Sequence, residues 1–361
     1  MAENTKIEWC DHTQNFWIGC TKVSKACDRC YAEVSTPSRT MQVGWGPGVP
    51  RHRTAPSTWA MPKKWNDQHE TFFAKHGRRQ RVFALSLGDW LDNEVPIEWF
   101  VDMLEVVRTT PNLDWLLLTK RIGMWRKRLL EAISFIGGIS QELATWINDW
   151  LDGKPPANVW LGITVSDQPE ADRDIPKLLQ VPAAKRLLSM EPLLGPVNLT
   201  DISDGHADST IPLEYWVEGF DTEDSPPAVG HNCLTGERWQ RFGEWYEDGQ
   251  RIDWVIVGGE SGPGARPMHP DWARSLRDQC TVAGVPFLFK QWGAWEPANK
   301  LPKDTLLPAK RWGYICEHGG PVDQGFGPFR NETAHHELMG NVGKKAAGRL
   351  LDGRTWDEVP E

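Results

Sequence analysis

Cys20, Cys27 and Cys30 crowd into eleven residues, inside the run N-x-x-x-G-C-x6-C-x2-C-Y-A from Asn15 to Ala32. Thiolates this close together can grip one metal centre, either zinc or an iron–sulfur cluster. A structural zinc wants four closed ligands, and beyond the three local cysteines the nearest donors are Cys10 and His12. Three thiolates on a four-iron cluster instead leave one iron open, and an open iron can bind a substrate or a cofactor. Both readings stand on the cysteine spacing alone.

A second set of polar residues recurs where apolar runs stop. RVFALSLGD ends in Ser86 and Asp89, WLLLTKR in Thr119 and Lys120, VWLGITVSD in Thr164 and Ser166, KRLLSMEP in Ser189 and Glu191, WVIVGGES in Glu260 and Ser261, and VPFLFKQWG in Lys290 and Gln291. Continuous apolar runs of this length fit strands buried on both faces of a parallel sheet. In a barrel of parallel strands the chemistry sits at the C-terminal mouths, so these side chains are expected around one opening. That loops are polar explains any one of them, but explains six less well. After the fifth run, Gly258-Gly259-Glu260-Ser261-Gly262-Pro263-Gly264 is a glycine-rich turn whose N–H groups could cradle a carboxylate or phosphate, with Arg266 assisting. Its spacing matches neither the dinucleotide fingerprint nor the P-loop.

Helical patterns lie between the runs. Pro96 can open a helix with Ile97, Phe100, Val101, Leu104 and Val107 on one face. Ser140 can cap a second, with Leu143, Trp146, Ile147 and Trp150 in a stripe, and a third follows Pro270 with Trp272 and Leu276 inward. Strand alternating with helix predicts an α/β fold, a partial or full (β/α) barrel of parallel strands. Residues 1–295 form the expected barrel domain, with the cysteine loop at 15–32 and an acidic insertion without clear period at 201–250. Residues 296–361 are expected as a loop-rich C-terminal extension packing on the barrel, with a short helix over Lys344–Leu351.

Composition narrows the class. The chain has 361 residues, 40% of them apolar, and no apolar stretch approaches the ~18 residues of a membrane helix. MAENTKIEWC lacks a basic-then-apolar signal pattern, and seven cysteines, an odd number, fit a reducing compartment better than a disulfide scaffold. A cytoplasmic protein is expected. The net charge of −9 is uneven: residues 1–130 hold 19 Lys and Arg against 14 Asp and Glu, the remainder 21 against 35. A coat for duplex nucleic acid would be basic overall, but the N-terminal part could still hold a nucleic acid locally. The basic stretches KHGRRQR (Lys75–Arg81) and KRIGMWRKR (Lys120–Arg128, enclosing Trp125) are candidate phosphate and base contacts, although charge runs are usually solvated helix faces. Of the 21 Trp, Trp90, Trp292 and Trp295 fall near strand ends and could wall a pocket. Cys316, His318, His335 and His336 match no zinc spacing and are read as structural.

The cysteine loop N-F-W-I-G-C…C-D-R-C-Y-A, followed by strand–helix units with polar strand ends, resembles the radical S-adenosylmethionine superfamily and, within it, the spore photoproduct lyase branch. The usual superfamily loop is C-x3-C-x2-C. This chain has three extra residues between Cys20 and Cys27, and Arg29 where an aromatic residue is common. More closely, nearly the whole chain resembles a phage-associated family known for its three-cysteine motif, through IEWCDHTQNFWIGCTKVSKACDRCYAE, LSLGDW, LLLTKR, SMEPLLGPVNL, DWVIVGGESGPGARPMHPDW, FKQWG and KKAAGRLLDG.

The resemblance implies a radical-SAM-like barrel in which Cys20, Cys27 and Cys30 ligate a [4Fe-4S] cluster whose open iron chelates S-adenosylmethionine. Electron transfer, from a donor such as flavodoxin or ferredoxin, then generates a 5′-deoxyadenosyl radical that removes hydrogen from a substrate. By position, Ser86-Leu87-Gly88-Asp89 corresponds to the segment receiving the methionine amino group, with Asp89 as acceptor. Lys120 resembles the lysine that meets the methionine carboxylate, though it could be a surface lysine. Thr164 or Ser166 would meet ribose hydroxyls, Glu191 would face the same opening, and Gly258, Gly259, Glu260 and Ser261 would line it. The phage setting and the lyase-like loop point to modification or repair of a nucleobase or nucleotide in a bacterial or phage-infected cell, with a protein partner also implied. Two other readings remain: a non-catalytic nucleic-acid-binding protein with a structural zinc or iron–sulfur site, and a phosphate-site barrel enzyme using Glu191 or Glu260 with structural cysteines.

Overall fold

Each of the six apolar runs becomes a strand of one sheet. In the computed structural model, which describes residues 3–203, 229–240, 245–247, 249–301, 311–319 and 335–361, these are β2 (Gln80–Ala84), β3 (Leu113–Thr119), β4 (Val159–Thr164), β5 (Lys185–Met190), β6 (Trp254–Gly258) and β7 (Phe287–Gln291). A seventh strand, β1 (His12–Gln14), has no apolar run. It is three polar residues held by partners: the His12 Nε2–H meets Gln80 Oε1 at 2.7 Å, and the Gln14 side chain donates to the Thr58 carbonyl at 2.9 Å.

The seven strands are all parallel and stand in chain order from β1 to β7. Crossovers between parallel strands are right-handed as a rule, which places their helices on one side when the strands follow in chain order, and the sheet curls into a half-barrel. The helices are α1 (Pro56–Asp67) and α2 (His69–His76) before β2, α3 (Ile97–Arg108) before β3, α4 (Trp125–Ile136) and α5 (Gln141–Leu151) before β4, α6 (Gln168–Gln180) before β5, and α7 (Pro270–Ala283) before β7. The expected caps and stripes hold. Ser140 accepts the Leu143 amide N–H, and Phe100, Leu104 and Val107 of α3, Leu143, Ile147 and Trp150 of α5, and Trp272 and Leu276 of α7 are buried.

Strand alternation sorts the core into two layers. Val82 and Ala84, Trp115 and Leu117, Leu161 and Ile163, Val255 and Val257 face the helices. Phe83, Leu116, Trp160, Leu187, Ile256 and Leu288 point into the hollow, where Trp9 packs against them. On β4 and β5 the inward positions become polar toward the C-terminal end: Trp160, Gly162, Thr164 on β4, then Leu187, Ser189, Glu191 from β5. The hollow therefore has an apolar floor and a polar mouth.

The acidic insertion begins differently from its expectation. Ile202–Ser203, Val229–Asn232, Glu237–Gln240 and Trp245–Glu247 pair as a four-stranded antiparallel sheet, while 204–228, 241–244 and 248 lie outside the described residues. The extension likewise contains a three-stranded sheet of Trp295–Pro297, Trp312–Cys316 and His336–Asn341, with 302–310 and 320–334 outside the described residues. Strands this short carry too few residues to display a period. The last residues cover the free edge of β7: Phe289 donates to the Trp356 carbonyl at 3.0 Å, and the Trp254 indole to Glu358 at 2.9 Å. The predicted helix near the end spans only Lys344–Ala347. No described helix is long and apolar enough to cross a membrane.

Candidate active site at the strand mouths

The cysteine loop owes its shape to successive turns. Cys27 donates to the Ser24 carbonyl, Asp28 to Lys25 and Cys30 to Cys27, with Lys25–Cys27 as a 3-10 turn. Residues three apart nearly eclipse in such turns, so the x2 spacing brings Cys27 and Cys30 to one side. Gly19, at φ +112°, precedes Cys20 and passes so close to Arg51 that an added Cβ would meet its Cδ at 3.2 Å; only glycine takes that backbone without strain. Arg51 is fully buried and joins Asp92 at 2.8 Å, Glu94 at 3.3 Å and the Thr21 hydroxyl at 2.8 Å. Breaking a buried pair of that kind costs about 3–5 kcal/mol, so the base of the loop is rigidly held.

Three contacts lay the loop across the barrel mouth. Lys25 pairs with Asp167 after β4 at 2.9 Å. Arg29 donates to the Gly264 carbonyl. Arg266 bridges from Glu260 (2.6 Å) to the Lys25 carbonyl (3.0 Å) and Asp28 (3.3 Å). On the other flank, Tyr31 donates to the Ser86 carbonyl at 2.8 Å, and Asn15 holds the Leu87 amide at 2.8 Å.

Cys20, Cys27 and Cys30 line one cleft with Ser86, Asp89, Lys120, Thr164 and Glu191, and with Gly259, Glu260, Ser261 and Lys290. Trp9, Phe83 and Leu118 form its floor. Its empty space, open mouth included, is about 1040 Å³, ample against the ~300–1,000 Å³ of small-molecule sites. Three expected residues are not brought in: Gln291 does not line the cleft and instead donates to Glu191 at 2.7 Å. Ser166 is buried and donates to Glu170 at 2.6 Å, and Gly258 packs beneath Glu191, where a Cβ would meet that side chain at 3.2 Å. The tryptophans differ too: Trp90 stacks face to face on Trp150, Trp292 packs on Phe289 and Trp295 donates to the Ala265 carbonyl, so Trp9 and Trp45 wall the cleft instead.

Most charges in the cleft are already paired. Asp89 accepts from the Thr119 hydroxyl (2.7 Å), the Leu91 and Lys120 amides (2.9 and 3.0 Å) and Arg121 (3.1 Å), which fills its acceptor sites. Glu191 is held by Lys290 at 2.6 Å and Gln291 at 2.7 Å. Glu260 takes the Arg266 side chain and also the Arg266 amide at 2.7 Å, so the glycine-rich turn cradles its own carboxylate. Lys120 is the contrast: among the described residues its ammonium meets only the Thr164 hydroxyl, at 3.3 Å. A cation without a carboxylate partner, inside a cleft, is a ready anchor for an anionic group.

Sequence reasoning passed over Arg51, Tyr31 and Leu85, and took Arg121 only as part of a basic stretch. Arg121 donates to Cys20 Sγ at 3.4 Å and to the Thr21 carbonyl at 2.7 Å, and its neighbourhood to Lys120 was the available signal. Leu85 lines the cleft at φ 59°, a left-handed conformation that costs a branched residue about 1–2 kcal/mol; no local pattern announces it.

The three cysteines are the cleft's candidate metal ligands. Burial, seconded by the Asp89 carboxylate, pushes the Cys20 thiol up to about 12, against the pull of Arg121; a bound metal would hold it as thiolate. A tetrahedral zinc would draw its sulfurs to about 3.8 Å apart, yet the three cysteines do not converge within 4.8 Å of one another as a group. Neither expected fourth ligand reaches them. Cys10 belongs to the apolar floor. His12 has both ring nitrogens engaged, by the Asn4 amide and by Gln80, and stacks on Trp65.

The two basic stretches part company. Arg78, Arg79 and Arg81 sit at the N-terminal end of β2, away from the mouth. Arg78 pairs with Asp11, Arg79 with Asp114, and Arg81 lies under the Trp160 ring, its pKa lowered to about 10 chiefly by burial. The second stretch runs from the mouth into α4. Lys120 and Arg121 enter the cleft and Arg126 and Lys127 are exposed, but Trp125 and Arg128 are buried, Arg128 against Phe100 and Glu131.

A family model described as "Protein of unknown function (DUF5131)" matches residues 4–360, and the chain belongs to that family. Neither a curated protein nor a solved structure matches it.

Proposed function

For a chain of this family, we propose a radical S-adenosylmethionine enzyme that carries a [4Fe-4S] cluster on Cys20, Cys27 and Cys30 and modifies or repairs a nucleobase or nucleotide. The observation that carries the reading is the opening of the three cysteines of one loop onto the same cleft as the polar C-terminal ends of a parallel half-barrel. In such a cluster each thiolate takes a different iron, so the three sulfurs need not converge as closely as on one tetrahedral ion. When bound, cluster and S-adenosylmethionine supply reductive carbon–sulfur cleavage and hydrogen abstraction.

The chain's own groups divide the remaining work. Lys120 anchors the cofactor carboxylate. Arg121 donates to Cys20 Sγ and fixes the loop through Thr21. Asp89, saturated by protein donors, aligns Arg121 and the end of β3 instead of offering a vacant acceptor. Thr164 and Ser189 present hydroxyls to the cleft, and Trp9, Phe83 and Leu118 keep water from beneath it. The nucleotide part of the reading rests on Arg126 and Lys127, exposed in the first turn of α4 just beyond Lys120, since the arginines of Lys75–Arg81 are spent elsewhere.

Anaerobic purification and reconstitution test the reading. We expect a brown protein with about four irons per chain that converts S-adenosylmethionine to 5′-deoxyadenosine under reduction; nucleoside mass spectrometry then screens nucleic acid substrates. A colourless chain that holds one zinc and leaves S-adenosylmethionine intact overturns it. Lys120→Ala is expected to weaken S-adenosylmethionine binding about 10- to 100-fold, the loss of a charged hydrogen bond of ~1.5–3 kcal/mol, with partial recovery in Lys120→Arg. Calorimetry on iron-loaded protein measures both, and an unchanged Kd removes Lys120 from the site.

A further inference from the structure

A second donor cluster lies outside the cleft, where the C-terminal extension returns to the barrel. His269 caps α7 and is fully buried; its Nδ1 accepts the Asp271 amide N–H at 3.2 Å. That nitrogen is therefore unprotonated, and the ring proton sits on Nε2, which is buried without a hydrogen-bond partner. His269 Nδ1 lies 3.8 Å from Asp271 Oδ2, and the same oxygen lies 3.6 Å from Nδ1 of His335. The three residues converge within 4.8 Å, the one His/Cys/Asp/Glu group of three or more to do so among the described residues.

The surroundings hold these donors in place. The other Asp271 oxygen accepts from Arg274 at 2.7 Å, which aims Oδ2 at the histidines. His335 is fixed by its backbone: its amide donates to Glu317 at 3.1 Å, and its carbonyl accepts the Glu317 amide at 3.0 Å. An unprotonated imidazole nitrogen and a carboxylate oxygen are both ligands that a divalent metal ion accepts.

We propose that His269, Asp271 and His335 bind a divalent transition-metal ion, zinc foremost, which staples the C-terminal extension to the start of α7. Two imidazole nitrogens and one carboxylate oxygen form a borderline donor set that suits zinc, with water as fourth ligand. Tetrahedral bonds of ~2.0–2.1 Å would place the donors about 3.3 Å apart, a few tenths of an ångström inside the two separations from Asp271 Oδ2. The lone pair that now meets the Asp271 amide is the one the metal takes.

Cobalt(II) binding distinguishes the two, because thiolate ligation gives intense near-ultraviolet charge-transfer bands and nitrogen/oxygen ligation does not. In the full chain with Cys20, Cys27 and Cys30 each changed to Ser, we expect one cobalt per chain with visible bands only. His335→Ala in that background should weaken binding at least about tenfold, and His318→Ala should leave it unchanged. If the serine variant does not fold, copper(II) electron paramagnetic resonance on the otherwise unaltered chain gives the same answer: coupling to two imidazole nitrogens, reduced to one in His335→Ala. Absence of a nitrogen/oxygen-ligated ion, or an affinity indifferent to His335→Ala, overturns the proposal, and neither outcome bears on the cysteine cluster.

Discussion

Cys27→Ala should leave the chain without its iron. Cys27 is buried in the turn at the back of the cleft, and its removal leaves two thiolates on one loop. No third is in reach, because Cys10 lies in the apolar floor and His12 is locked between Asn4 and Gln80. Iron should fall from about four per chain to a small fraction of one, and 5′-deoxyadenosine should fall to background. Only one sulfur atom is lost, so the denaturation midpoint should shift by about 1 kcal/mol or less. Cys10→Ala is the matched comparison and should keep full iron. Iron retained in Cys27→Ala, or lost in Cys10→Ala, would show that the ligands are wrongly assigned.

Gly259→Ala should damage the fold at the cleft. A Cβ on Gly259 would sit 2.0 Å from the Trp292 carbonyl oxygen, and one on Gly293 would sit 2.1 Å from that of Glu260. The turns after β6 and β7 therefore pack backbone on backbone, joined by Gly259 N–H to Gln291 (2.9 Å) and Ala294 N–H to Glu260 (2.8 Å). Nothing flexible can yield there, so a methyl must push two chain segments apart by about 1 Å in a close-packed interior. A loss of about 3 kcal/mol is expected in urea unfolding. Binding of S-adenosylmethionine should weaken with it, because these segments carry Glu260, Ser261 and Lys290 into the cleft. Gly123→Ala, with no atom within 4 Å of the added carbon, should be nearly silent. Equal stability of the two variants would mean that the turns are not in contact.

The six sheet strands were legible because burial on both faces demands apolar residues at consecutive positions, and such runs survive in the linear order. Their polar ends were legible because a parallel strand delivers its next residues to a common rim. β1 was not legible: His12, Thr13 and Gln14 are stabilised in a strand by partners far along the chain, not by their own hydrophobicity. The antiparallel sheets of the insertion and the extension were hidden by their brevity.

Within the cleft, residue type was easier to read than residue state. Lys120 and Asp89 look alike in the linear order, as charged residues just past a strand. Asp89 is saturated by four donors, while Lys120 has one hydroxyl. The basic stretch Lys75–Arg81 and the tryptophans Trp90, Trp292 and Trp295 misled for the same reason: charge and aromaticity are local facts, whereas pairing with Asp11 and Asp114 or stacking on Trp150 depends on which elements meet.

The linear order thus specifies the three-sulfur loop, the parallel strands and the side chains gathered at their mouths, since each depends on spacing within a few residues. Only folding decides which charges stay available, which ring nitrogen is free and which glycines touch, because hydrogen bonds and backbone contacts between residues tens to hundreds of positions apart are properties of three-dimensional neighbours.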